Sequence, residues 1–372
     1  MAVVEVGWNV RAGYIGDVRC TRQLSSLHSK EVPRETCLPS ILVAADVAGD
    51  ENILEMWTLQ SLEQERNLHM EHLAHIMEKE LGCLEEDPLM LVIPEIWHEK
   101  SEIIQTLFRI ILESNFTSAL YCCRPSVAWT LASGKASAVV IDVGHHHATS
   151  TAVLDGYALR GSIASNNLAG SVVTQRLIDM IGVDQLQALE TVKHYRLPSV
   201  REWALREICG DIKRVACSVR TGRSDLSRKE ESLLLRAPDG NTITVAGDAR
   251  VDPYDVLFAP PSGTGASLAD LLVGCRRSLD PEWQQQTSPH ILCGGTSQAS
   301  GFRERLLKEA QKRDSSYFRY GKEDAFKVLT AVDGAWAGAS LAADCSSFSS
   351  LWVTRADFEE EGDSVLYRKL LC

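Results

Sequence analysis

The chain has 372 residues, 45% of them hydrophobic and 24% charged, a globular composition long enough for two domains or one large split domain. A formal net charge of −12 argues against a surface that grips nucleic acid by its phosphates, and leaves plain solubility or docking to basic partners. The 11 cysteines are odd in number and contain no CxxC pair, which reads as reduced thiols rather than a disulfide framework or zinc module. The first residues lack the basic and apolar regions of a secretory signal, and no apolar run reaches the roughly 18 residues of a membrane span.

In chain order, Val3–Val6 is an apolar run closed by Gly7, as a buried strand is before a turn, and Val10–Tyr14 is its return strand. Leu38–Ala45 reads as a further strand. Ile53–Leu81 carries Leu54, Trp57, Leu62, Leu68, His72 and Ile76 at helical spacing and predicts one or two amphipathic helices. A strand at Leu89–Ile93, a strongly amphipathic helix at Glu102–Leu112, a strand at Ala119–Cys123 and a helix at Ser126–Ala132 follow, the last stopped by Gly134.

The pattern then restarts. Ala138–Asp142 is an apolar strand, followed by the turn GHHHA and by strands at Thr149–Leu154 and Tyr157–Arg160. Helices are expected at Val172–Ile181, Arg201–Val219, Leu268–Leu279, Phe302–Arg313 and Trp336–Ala343. A hairpin is expected at Leu233–Ala246 around Pro238-Asp239-Gly240, and a strand at His290–Cys293 ending in Gly294-Gly295. Strand, glycine turn and strand thus occur twice, which suggests two similar α/β lobes facing a cleft. Glycine turns after strands present backbone N–H groups where phosphates can sit, although most such turns are only turns.

Several segments are more specific. VVEVGWNVRAGYIGD (3–17), LPSIL (38–42), YCCRPSVAWTLASGK (121–135) and VVIDVGHHHATSTAVLDGYAL (139–159) resemble, in order, the first phosphate hairpin, the segment after it, the crossing between lobes and the second phosphate hairpin of actins. NNLAG, EICGDIKRVAC, APDGNTITV, ILCGGTSQASGFRERLLKE, WAGASLAA and LWVTRADFEEEGDSVLYRKLLC continue in the same order. The chain therefore resembles the actin and actin-related protein family over nearly its whole length. The resemblance implies an α/β, actin-like ATPase fold of the sugar kinase, heat-shock protein and actin type, with two lobes around a central nucleotide cleft. Residues 1–134 and 326–372 would form the first lobe, with a reduced small subdomain at about 30–60. Residues 135–325 would form the second, with a small subdomain at about 171–260.

The same resemblance assigns site residues. Glu5 stands at the carboxylate that holds the metal's water shell, one methylene longer than the family's, in a site where octahedral Mg²⁺ tolerates little displacement. Gly7 opens a turn one residue shorter than usual, Trp8 is bulky for a close approach of backbone to phosphate, and Arg11 replaces a phosphate-binding Lys. Asp142 and Gly144 are kept on the second hairpin, but His145 replaces a metal-side carboxylate and His146 a close-approach glycine. The water-orienting glutamine falls at Pro125, which leaves no catalytic side chain, and positioning is most of what accelerates phosphoryl transfer. Gly170, Lys213, Gly294, Gly295 and Thr296 match the nucleoside side, whereas Arg214 stands where an acid is expected. ATP or ADP with Mg²⁺ is the candidate cofactor, with binding left open and hydrolysis not expected. His145 and His147, one residue apart, could share a strand face and ligate zinc or copper; the alternative is relaxed constraint at a lost phosphate site.

Pro39 to Ile53 is too short for the family's subunit-inserting loop, and PPSGTGAS near Ser262–Ala266 lacks an apolar plug, so a normal filament is not expected. The resemblance then implies a structural or binding subunit. The first expectation is a nuclear chromatin-remodelling or histone-acetyltransferase complex, with a partner's long helix docked between the lobes near residues 126–134 and the C-terminal helices. The alternatives are a cytoskeletal subunit of the dynein-activator cap type, in contact with actin or another actin-related protein, or a divergent conventional actin. Localisation is accordingly expected to be nuclear, or cytoplasmic and cytoskeletal. No direct contact with nucleic acid or membrane is expected.

Overall fold

β1 (Ala2–Glu5) and β2 (Asn9–Tyr14) form an antiparallel hairpin in which Glu5 faces Arg11 across the strands. The structure is a computed structural model and describes residues 1–29, 40–114, 116–222, 231–237, 240–315, 326–328 and 334–370. β3 (Arg22–Ser25) extends the hairpin, and β4 (Leu27–Ser29) pairs with β5 (Ile53–Glu55) in a separate ribbon. β6 (Leu89–Val92) and β7 (Ala119–Cys123) lie parallel to β1 in succession, each fully buried, as central parallel strands covered on both faces must be.

The second sheet repeats this plan. β8 (Ala138–Val143) and β9 (Ala148–Leu154) form its leading hairpin, with β10 (Tyr157–Ala158) and β11 (Ala164–Asn166) both antiparallel to β9. After a separate hairpin of β12 (Leu233–Arg236) and β13 (Thr242–Val245), β14 (His290–Cys293) joins parallel to β8, and β15 (Phe326–Val328) joins parallel to β14. β16 (Val353–Thr354) closes the first sheet against β7. Because Phe326–Val328 is the edge of the second sheet, the chain returns to the first lobe after residue 328 rather than at 326.

Two helices, Pro125–Ala132 and Gly334–Asp344, are sandwiched between the sheets, and their side chains join residues of both sheets in one apolar cluster that includes Val3, Met90, Val140, Ile291 and Trp336. They pack at backbone distance: a Cβ on Gly338 would stand 1.8 Å from the Ala128 carbonyl oxygen. Trp336 is core, fully buried with its indole N–H donated to the Val3 carbonyl at 2.9 Å.

Three expected elements differ. The described part of the Leu38–Ala45 strand is a helix, Ser40–Ala48, in which Ile41, Leu42, Ala45 and Asp46 are buried while Val43 and Val47 are exposed. That spacing is a helical face; a strand would have buried alternate residues. Ile53–Glu55 is a strand paired to β4, so the helices of that region begin at Leu59. The Tyr157–Arg160 strand stops at Ala158, and one 3₁₀ turn follows at Arg160–Ser162. Pro238 and Asp239 of the expected turn lie outside the described residues. The nine described cysteines are free, and seven of them are buried.

Candidate functional site

The two hairpins aim their turns at one another. Glu5 ends β1, and Asp142 lies one residue before the end of β8, so each lobe contributes one carboxylate to the cleft floor. Glu5 is engaged within its own lobe: Arg11 donates to its Oε1 at 2.8 Å, and the Trp336 N–H donates to Oε2 at 3.1 Å. The first pair follows directly from cross-strand register. Among the described residues no cation hydrogen-bonds to Asp142. Burial, with Glu5 and Glu95 nearby, pushes its carboxyl up to about 7, and Arg11 opposes this only in part.

The turn at 144–147 joins β8 to β9, so His145 and His147 are not on a strand and their rings go to different partners. His145 stacks on Trp8 of the first turn, ring centroids 4.0 Å apart and nearly parallel. His146 meets Glu55 from β5 through Nε2, and His147 meets the Asn167 side chain at 3.0 Å. Burial, then the neighbouring His146, Lys213 and Arg206, lowers His145 to about 2, so its imidazole is neutral at ordinary pH. Trp203 of the long helix Pro198–Ala216 also stacks with Trp8, ring centroids 6.2 Å apart, and the Arg206 guanidinium lies 4.9 Å over the Trp203 ring. Among the described residues no group of three or more His, Cys, Asp or Glu side chains is placed to hold a metal ion.

Gly170, Lys213 and Gly294 to Thr296, which the resemblance assigns to a nucleoside side, lie together around Gly144. Gly294 has φ +86°, and a Cβ there would stand 2.4 Å from both Asp142 Oδ1 and the Val143 carbonyl, so only glycine fits. Gly295 and Thr296 open a 3₁₀ turn, and the Thr296 hydroxyl donates to the Gly144 carbonyl at 2.7 Å. Gly170 starts the helix Gly170–Ile181 with a Cβ position 2.3 Å from Thr296 Oγ1. Lys213 is present, but its ammonium donates to the Gly170 carbonyl (2.9 Å) and the Thr174 hydroxyl (2.8 Å) rather than facing an open base site. Burial lowers it to about 8. Arg214 is exposed and pairs with Asp211.

Pro125 occupies the first position of its helix, where its missing N–H costs no hydrogen bond. Arg124 before it is buried and ion-paired to Glu95 at 2.7 Å and Glu99 at 2.8 Å, while Glu95 also accepts from the Ser126 N–H at 3.2 Å. No side-chain amide is offered at this point. The sequence reading missed Trp203, Arg206, Glu55 and the Arg124–Glu95 pair. Their only signal was residue type, an aromatic or a charge on otherwise ordinary elements.

A nucleoside polyphosphate with Mg²⁺ would need a free carboxylate, inward-facing amides and open volume between the turns. Glu5 is already bound by Arg11 and the Trp336 backbone N–H, and burial raises Asp142, the other carboxyl, to about 7. The Gly144 N–H donates to the His147 carbonyl at 3.0 Å, closing its own turn. The Trp8 ring lies in contact with the His145 ring, joining the two turns. Gly7 and Gly295 keep open space, with nothing nearer than 3.9 Å to a Cβ at Gly7 and nothing within 4 Å at Gly295. In this arrangement the residues do not fit that group.

Paired lobes, each led by a hairpin with a carboxylate at the cleft floor, define the two-lobe architecture of sugar kinases, heat-shock proteins and actins. The chain belongs to the actin family, whose profile matches residues 1–371. It is similar to Actin-like protein 9 of Mus musculus, 28% identical over 311 residues that cover 79% of this chain and 68% of the relative. The Bos taurus protein of that name is likewise 28% identical over 311 residues, with 79% and 68% covered. The Homo sapiens protein is 26% identical over 311 residues at the same coverage. The chain thus stands among the actin-related proteins.

Proposed function

We propose that this chain is a non-polymerising actin-related protein that works as a binding subunit of a larger assembly, with little or no ATP hydrolysis. The observation that carries this reading is the pairing of Glu5 with Arg11 and the Trp336 N–H, in a cleft where Pro125 replaces a water-positioning amide. Hydrolysis needs an ordered water and a metal held by a free carboxylate. The loss of filament contacts is supported by the short stretch between Pro39 and Ile53, whose residues Ser40–Ala48 are a helix, and by residues 261–266, an exposed segment without an apolar side chain large enough to act as a plug.

The assembly we propose is a nuclear chromatin-remodelling or histone-acetyltransferase complex. The support is the net charge of −12, suited to a basic helical partner, and the C-terminal sequence ADFEEEGDSVLYRK. The proposal is tested by purifying the native protein, identifying the co-purifying chains, and measuring phosphate release with Mg-ATP. Chromatin-complex subunits with no turnover support it. Dynein-activator subunits would move the chain to a cytoskeletal role, and steady turnover or filament formation would refute the binding-subunit reading.

A further inference from the structure

Nucleotide ordinarily has to hold two such lobes together, because a cleft between separately packed lobes otherwise opens. Here the lobes touch across the cleft at three separate places. At one of them, Trp8 of the first lobe stacks with His145 and with Trp203 of the second. At another, Glu55 of the first lobe pairs with His146 of the second. At the third, the Asp46 carboxylate, 7% exposed, accepts from the Arg196 and Leu197 backbone N–H groups at 2.6 and 2.7 Å. The Arg196 guanidinium also donates to the Asp46 carbonyl at 2.8 Å. Leu197 precedes the long helix carrying Trp203, so Asp46 and Trp8 hold the same rigid element at two points.

Apolar burial follows the same route. Leu27, Leu42, Ala45 and Ile53 of the small first-lobe subdomain belong to the hydrophobic cluster of the second lobe, with Val200, Ala204 and Leu205 of the long helix. A subdomain that packs its apolar face into the opposite lobe cannot swing away without exposing that face to water.

We propose that the cleft of this protein is held shut by its own side chains, the Trp8 stack, the Glu55–His146 pair and the Asp46 cap, in place of a nucleotide. Two of the contacts hold one rigid element, the long helix and the residues that lead into it, and the third ties β5 to the turn that carries His145. The closed arrangement is then a fixed property of the chain, and the surface it offers to partners does not depend on ATP. This holds whichever assembly contains the protein.

Hydrogen exchange on the full-length protein tests it. The Arg196 and Leu197 amides should be well protected without nucleotide, and millimolar Mg-ATP should change their exchange by less than about threefold. Trp8→Ala touches neither amide, yet should speed the exchange of both by about fivefold or more through the shared helix. Should Trp8→Ala fail to fold, Glu55→Gln gives the same readout from a half-buried contact. Protection that rises well beyond threefold with Mg-ATP, or amides indifferent to both substitutions, would overturn the proposal.

Discussion

Truncating Arg124 to Ala tests the buried charge at the crossing between the lobes. Arg124 and Glu95 are 3% and 4% exposed and meet at 2.7 Å. Without the guanidinium, Glu95 keeps only the Ser126 N–H at 3.2 Å, and its charge remains buried. Breaking a buried pair on one side costs about 3–5 kcal/mol, because the surviving ion keeps its desolvation penalty. Glu99, the second partner, is 36% exposed on its side chain and can rehydrate, so it adds little. We therefore expect Arg124→Ala to lower the unfolding free energy by about 4 kcal/mol in urea titration followed by tryptophan fluorescence. Arg124→Met combined with Glu95→Gln leaves no buried charge and should recover at least half of that loss. A single-variant cost below about 1 kcal/mol, or a double variant no better than the single, would refute the account.

Gly338→Ala gains about 1 kcal/mol of helix propensity, but its Cβ would lie 1.8 Å from the Ala128 carbonyl. Backbone shifts at overpacked sites cost about 1–3 kcal/mol or more, so net destabilisation is expected in the same titration. Asp142, raised to about 7 from 3.8, favours folding through its protonated form; that contribution is complete below pH 3.8 and is lost as pH rises through about 7. Asp142→Asn should accordingly stabilise the fold at pH 8, by on the order of 2 kcal/mol, and far less at pH 4. His145, lowered to about 2 from 6.5, acts oppositely: stability falls as pH drops below 6.5, where only the unfolded chain takes the proton. His145→Phe keeps a ring against Trp8 and should flatten the melting temperature between pH 6.5 and 4.

Central strands and amphipathic helices were legible because their residues repeat with the period of the element. β6, β7, β8 and β14 are short, continuous apolar runs, and the helix Ser101–Glu113 buries Ile104, Leu107, Phe108 and Ile111 at helical spacing. Gly294 and Gly170 were legible only through the family resemblance; the structure adds the reason for glycine, since a Cβ at either would stand within 2.4 Å of a neighbouring atom. The short stretch ILVAADVA (41–48) misled because β-branched residues favour strands, whereas packing against the second lobe selected a helix that buries Ile41, Leu42 and Ala45.

The sequence by itself determined the central strands, the amphipathic helices and the order of the two hairpins, which follow from local periodicity, while its resemblance to the actin family pointed to the residues expected at the cleft. Only the tertiary structure decided that Glu5 is held by Arg11, that Trp8 lies on His145, and that Asp46 reaches Arg196 and Leu197. The last of these joins residues 150 positions apart. No local pattern encodes such a contact, because the free energy that selects it comes from burying the small subdomain against the opposite lobe.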